Sequence, residues 1–372
     1  MRSTEPDRSD SRVAHRALLA LASVVVSLLL AEGMARLFVS ADRAGTVEGV
    51  FQATDARGVN YTLLPDFDGT AFNTDLRTNH PGFRGPQWTT EKASEVLRIA
   101  LIGDSHAFGY GVPFESTTGE GLARDLGKSL GRPVEVLNFA VTGYNSLQEL
   151  GVLEHFALPF RPDLVVIVPS SNDDEKPAYA DPEHFLVSQP VAPGERTPEQ
   201  SAKLAAWRRK AYAAGDLSRL WTAVTRSWNR LMSTSSRLGR QRWMGPIVDG
   251  PVAPELVEPV MEPVRRMIAL SREAGARVLI ATFAGSQKWR LLFRTIGEQE
   301  QVPVVELLGV FPETWDWDDM VRRFSLGWNS HLGVEGHRRW AKAIADRILA
   351  DGLATPVPAA PARDSTLGSS DR

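Results

Sequence analysis

Residues 97–105 constrain this chain more than any other stretch: the aliphatic run Leu97-Arg-Ile-Ala-Leu-Ile102 stops abruptly at Gly103-Asp104-Ser105. An apolar run of this length, closed by glycine, predicts a strand buried on both faces, as in a parallel sheet. Such a sheet needs helices on both faces and binds its ligands beyond the carboxyl ends of its strands. The run therefore predicts a hydroxyl, that of Ser105, at the place in the fold where ligands sit.

Other segments repeat the pattern. Residues 133–143 form a short strand that runs into a loop carrying Asn138 and Gly143, and residues 162–168 form a third strand that ends in Pro169-Ser-Ser-Asn172-Asp173. Residues 276–283 and 302–307 add two more. Between and after them, Leu122, Leu126 and Leu130 recur at four, as do Trp340, Ile344 and Ile348, each set marking a helix with one buried face. Strands alternating with helices predict a three-layer α/β/α fold with a parallel central sheet and right-handed crossovers.

Near the far end, Asn329-Ser-His331-Leu-Gly-Val-Glu-Gly-His337 precedes the last helix. The order along the chain is thus Ser105, Gly143, Asn172, His331, each just beyond a predicted element. In these four blocks the chain resembles the SGNH (GDSL-type) hydrolase family, over residues 97–349. The resemblance implies Ser105 as nucleophile and His331 as its base. It also implies an oxyanion hole made by the backbone N–H groups of Ser105 and Gly143 and the side-chain amide of Asn172. The chemistry needs these types: a serine hydroxyl attacks only when a base takes its proton, and the developing oxyanion needs fixed donors.

Two positions depart from the family pattern. Ser170 stands where a glycine precedes the block asparagine. Trp328 and Asn329 stand where an aspartate orients the catalytic imidazole. Asn329 remains a candidate for that role, since an asparagine can orient the ring, although it cannot offset the imidazolium charge. Asp316, Asp318 and Asp319 are the upstream candidates. Asp104 reads as a cap of the following turn, His106 as a neighbour pointing away from the chemistry, and His337 as a packing or capping residue.

The chain has no cysteine and no His-Glu-x-x-His pattern, so no metal is expected, and no cofactor. Gly109 and Gly111 are not followed by Lys-Ser/Thr, which argues against a phosphate loop. A net charge of −3 gives no reason to expect nucleic acid.

The N-terminus adds a location. Residues 17–31 carry no charge and follow Arg2, Arg8, Arg12 and Arg16. The helical pattern continues through Glu32 and Arg36, extending the apolar helix to about 23 residues, enough to cross a bilayer. Residues 1–16 then form a cytoplasmic basic segment and residues 17–39 a transmembrane signal anchor, with the hydrolase on the outside, periplasmic or extracellular. Gly33-Met-Ala35 is an acceptable cleavage site, so a cleaved signal peptide stays open. Residues 40–95 read as an irregular lead-in segment packing on the domain, with Phe83 and Arg84 docking onto the scaffold. Residues 96–350 form the hydrolase domain. Within it, residues 175–254 read as a largely helical insertion without strands, containing Trp207, Trp221 and Trp228. Residues 351–372 read as a disordered tail. The whole predicts an extracytoplasmic serine esterase acting, through an acyl-enzyme, on an acylated carbohydrate or a lipid ester. The alternatives are an O-acyltransferase modifying surface polysaccharide, and an inactive scaffold of the same fold.

Overall fold

The computed structural model of the chain describes residues 8–38, 49–170, 173, 177–180, 184, 186–187, 203, 218, 220, 223–224, 254–283, 287–311, 323–326 and 331–355. The chain opens with helix α1 (Arg8–Phe38). Two small antiparallel pairs follow, β1 (Phe51–Ala53) with β2 (Tyr61–Leu63), and β3 (Asp68–Ala71) with β4 (Thr74–Arg77). The α/β body begins with β5 (Leu97–Gly103), α2 (Ser105–Phe108), α3 (Thr118–Leu130) and β6 (Val134–Asn138). It continues through α4 (Ser146–Val152), β7 (Leu164–Val168), the short pair β8 (Tyr179–Ala180) and β9 (Leu186–Val187), and α5 (Pro254–Glu273). It closes with β10 (Arg277–Thr282), α6 (Gln287–Glu300), β11 (Val304–Glu306) and α7 (Val334–Ala350).

The central sheet has five strands in the order β6-β5-β7-β10-β11, and every pairing is parallel. The first crossover steps one way from β5 and the later ones step the other way. The crevice where the order reverses lies at the carboxyl end of β5, the usual ligand position in an open α/β sheet. Every residue of β5 and β7 is buried, which requires cover on both faces. Helices α3 and α7 pack together, while α4 packs on α5 and α5 on α6. The fold class expected from the strand and helix spacing is the one observed.

Residues 49–95 depart from the expectation of irregular structure: they contain the two β pairs, and they are stitched into the body. Phe83 and Arg84 are fully buried. Phe83 packs edge-on and Trp88 tilted against Phe139, in the loop after β6, at ring distances of 5.1 and 4.8 Å. At the other end of the sheet, Arg98 is buried at the start of β5. Its guanidinium donates to the carbonyls of Glu91 and Phe160 at 2.9 Å and to the Glu135 carboxylate at 2.9 Å.

Two further expectations need correction. The 175–254 region is not free of strands: β8 and β9 pair there, and β8 lies against β1. The cause is local pairing between short polar-flanked segments, which carry no apolar run to signal them. Its tryptophans, Trp207, Trp221 and Trp228, lie outside the described residues. The C-terminal segment packs further than expected, since Leu353 and Ala354 are buried against the core; residues 356–372 lie outside the described residues.

Helix α1 contains one stretch, Leu18–Leu37, long and apolar enough by length and composition to cross a membrane. Leu29 and Leu30 are 66% and 67% exposed, so this surface is unburied within the chain. Glu32 and Arg36 pair at 2.8 Å, as their spacing predicts.

The seating of α3 on α7 turns on Gly121. A β-carbon there would lie 2.7 Å from the β-carbon of Ala341, well inside contact distance. Gly→Ala in a helix interior ordinarily gains about 0.5–1 kcal/mol. Gly121→Ala is expected instead to lose about 1–3 kcal/mol, the usual effect of overpacking. Urea unfolding of the two proteins measures the sign, and a gain would mean that the two helices can separate without cost.

Candidate active site

The site is built at the carboxyl end of β5. Gly103 is needed for space rather than for a turn: a β-carbon would meet that of Ala107 at 2.8 Å and the Val168 carbonyl at 3.1 Å. Asp104 then caps α2, its Oδ1 accepting from the His106 N–H at 2.8 Å. Its Oδ2 accepts from the Ser170 hydroxyl at 2.8 Å. Ser170, the residue in place of the family glycine, thus ties the end of β7 to the turn that presents Ser105. Its own N–H donates to Asp173 at 3.2 Å. Asn138, at the end of β6, donates to the Ala107 carbonyl at 2.9 Å and braces the same turn from the other side.

Ser105 opens α2, and its Oγ lies 2.8 Å from Nε2 of His331. The two residues are 226 positions apart. His331 stands just before α7, where Leu332 is buried and the Gly333 N–H donates to the Phe324 carbonyl. Burial pushes its pKa down to about 3; the neighbouring His106 pushes the same way, and the Asp104 charge opposes both. The imidazole is therefore neutral at neutral pH, with Nε2 able to accept the serine proton. His106 does not point away from the chemistry: its ring lies 4.8 Å from that of His331 and contacts Phe283 and Trp340. Burial lowers its pKa to about 4. His337 is buried on α7, with its Nδ1 2.8 Å from the Thr118 hydroxyl of α3.

Gly143 follows β6 with φ +82°, the left-handed region that favours glycine. A β-carbon would also sit 3.0 Å from Leu186 and 3.1 Å from the Tyr61 hydroxyl. Tyr61 itself donates to the Thr142 carbonyl at 2.9 Å, and Tyr144 donates back to the Tyr61 carbonyl at 2.6 Å. Strand β2 therefore holds the Gly143 loop from behind. Among the described residues, neither the Ser105 nor the Gly143 N–H is spent on a backbone acceptor. Asn172, Asn329, Asp316, Asp318 and Asp319 lie outside the described residues.

Three features escaped the sequence reading. Tyr110 stacks on His331, with ring centroids 4.5 Å apart and planes 23° apart. Tyr61 backs Gly143 from the lead-in segment. Glu149 is fully buried in α4, and among the described residues neither carboxylate oxygen has a hydrogen-bond partner. Burial, then Asp173 and Asp104, push its pKa well above the usual carboxylate range. No sequence signal marks any of the three, since each depends on contacts between distant segments. Among the described residues, no cluster of His, Asp and Glu is arranged to hold a metal ion.

Comparison with known proteins places this arrangement. The model of the GDSL-like lipase/acylhydrolase family matches residues 101–339. No curated protein sequence matches the chain. Among solved structures, the chain is similar to a lipolytic protein of the G-D-S-L family from Desulfitobacterium hafniense, at 11% identity and TM-score 0.39, covering 68% of this chain and 99% of that one. It is similar to a psychrotrophic esterase from Pseudoalteromonas sp., at 13% identity and TM-score 0.39, covering 68% and 97%. An acetyl-xylooligosaccharide esterase from Geobacillus overlaps at 13% identity and TM-score 0.38, covering 68% and 93%. The family match spans well over half of the chain, from the strand that presents Ser105 to the helix that follows His331: the chain belongs to the GDSL-like lipase/acylhydrolase family and is a serine ester hydrolase.

Proposed function

We propose that this chain cleaves esters through an acyl-enzyme on Ser105, outside the cytoplasm and tethered by α1. The observation that carries the reading is the 2.8 Å contact between Ser105 Oγ and His331 Nε2. The Ser105 hydroxyl donates to Nε2, and His331 takes the proton as Oγ attacks the ester carbonyl. The carbonyl oxygen becomes an oxyanion facing the N–H groups of Ser105 and Gly143, with the Asn172 amide as third donor. Collapse expels the alcohol, which leaves with the proton from His331. Water then attacks the acyl-serine, giving its proton to His331, and the acid departs as Ser105 recovers its hydrogen.

A neutral imidazole in a half-buried site suits the first half of each step and penalises the charge that forms in the second. The Asp104 carboxylate favours that charge. The proposed location is supported by α1: with the arginines before the apolar stretch kept in the cytoplasm, the body is carried across. A hydrolase held at a membrane surface meets acylated envelope or extracellular carbohydrate and lipid esters, and these are the proposed substrates.

Three outcomes are expected. Ser105→Ala in the full chain, with unchanged circular dichroism, should lower p-nitrophenyl acetate turnover by at least about 10³-fold; retained turnover would remove Ser105 as nucleophile. The acid limb of kcat/KM should lie far below pH 6.5, because protonation of His331 is what ends activity and its pKa is lowered to about 3. Activity should therefore be nearly flat from pH 8 to pH 5, where a histidine of ordinary pKa would already have lost about 30-fold. An alkaline phosphatase fused to the C-terminus should be active in cells, since it needs export; a silent fusion, with the chain present and membrane-bound, would place the body in the cytoplasm.

A further inference from the structure

The loop after α2 carries a residue that the mechanism above does not use. We infer that Tyr110 is a positioning residue for the ester reaction, setting the plane of the His331 imidazole and supporting its charge once it holds the serine proton. The inference rests on the Ser105–His331 reading. Tyr110 lies five residues beyond Ser105, and its ring is nearly parallel to that of His331, with centroids 4.5 Å apart. This is the closest ring contact that His331 makes among the described residues, with His106 next at 4.8 Å and a steeper 32° tilt.

Two physical consequences follow. A ring stacked on the imidazole restricts rotation about its Cβ–Cγ bond, and that rotation is what would swing Nε2 away from Ser105 Oγ. Near-parallel aromatic pairs at this separation are attractive beyond the area they bury. The second consequence is electrostatic. The face of a phenol ring attracts a cation placed over it, and the cation here exists only after proton transfer. Such an interaction strengthens toward the transition state, so its loss is read in kcat rather than in KM.

The loop is built to keep Tyr110 in place. Arg84, fully buried, donates to the carbonyls of Gly109 at 2.7 Å and Val112 at 2.8 Å, on either side of Tyr110. It also donates to the Phe108 carbonyl at 3.4 Å, and its guanidinium lies 5.2 Å from the Phe108 ring centre. The Tyr110 N–H donates to the Ser105 carbonyl at 3.2 Å, fixing it to the nucleophile turn. A buried arginine spent on backbone carbonyls is a costly way to hold a loop, and of the two residues between its closest contacts, Tyr110 and Gly111, the first is the one that meets the base.

Two substitutions in the full chain separate positioning from bulk. Tyr110→Phe keeps the ring and loses the hydroxyl; Tyr110→Leu keeps a half-buried apolar side chain and loses the ring. Tyr110→Leu is expected to lower kcat for p-nitrophenyl acetate by about 2- to 30-fold, with KM changed by less than about twofold. Tyr110→Phe should stay within about twofold of the parent in both. A fully active Tyr110→Leu protein overturns the inference, as does a Tyr110→Phe protein as slow as Tyr110→Leu. The His331 ring resonances in a proton NMR spectrum provide a readout that needs no turnover, assigned by their loss in His331→Gln. They should move in Tyr110→Leu and hold in Tyr110→Phe, and unmoved resonances in Tyr110→Leu overturn the stack. Retained turnover in Ser105→Ala would instead mark failure of the Ser105 reading, leaving the NMR comparison to decide on the stack alone.

Discussion

Strand β5 is paired on both edges and buried on both faces, and the site follows from that. Because β6 and β7 flank it in parallel, all three carboxyl ends emerge side by side. The loops after them carry Ser105, Gly143 and Ser170. They need no long reach to meet, only short cross-links: Asn138 to the Ala107 carbonyl, and Ser170 to Asp104. A strand so enclosed cannot slide, since slipping by one residue would swap side chains between two closely packed faces and leave backbone polar groups unpaired. The rigidity of the sheet thus becomes the precision of the Ser105 position.

A second constraint is the partial enclosure of the groups around Ser105. His106, His331 and His337 all have pKa values lowered, chiefly by burial, to about 4, 3 and 3. Burial, with Asp173 and Asp104 adding to it, raises the Glu149 pKa in the same neighbourhood. The charges acting on these groups include those of Asp104, Asp173 and the buried Arg84. In surroundings of low polarity, one carboxylate and a few oriented N–H groups act more strongly than they would in water. A positive charge on His331 would be penalised there, and the Asp104 charge offsets part of that penalty.

Residues 49–95 matter for a related reason. Tyr61 backs the Gly143 loop, and Arg84 grips the loop after α2, so the lead-in segment buttresses both halves of the site. It was legible only as a segment that docks through Phe83 and Arg84. Its strands have three or four residues each and too little alternation to reveal a period, and the Arg84 and Tyr61 contacts with Gly109 and Thr142 span 25 and 81 positions. The strands of the sheet were legible because full burial demands uninterrupted aliphatic runs. Their ends came within a few residues, since a run marks burial and not the last ladder hydrogen bond.

The sequence by itself determined the fold class, through five aliphatic runs alternating with helical repeats, and it named Ser105, Gly143 and His331 through local blocks whose spacing resembles a known family. Those blocks are short-range patterns, written within a few residues of one another, and local backbone preference and burial suffice to display them. Only the tertiary structure decided that Ser105 and His331 meet at 2.8 Å, that Ser170 binds Asp104, that Tyr110 lies on His331, and that Glu149 is enclosed without a hydrogen-bond partner among the described residues. Each of those facts is a distance or an enclosure involving segments far apart in the chain, and such a distance exists only once the sheet has set its strand order and the helices have closed over it.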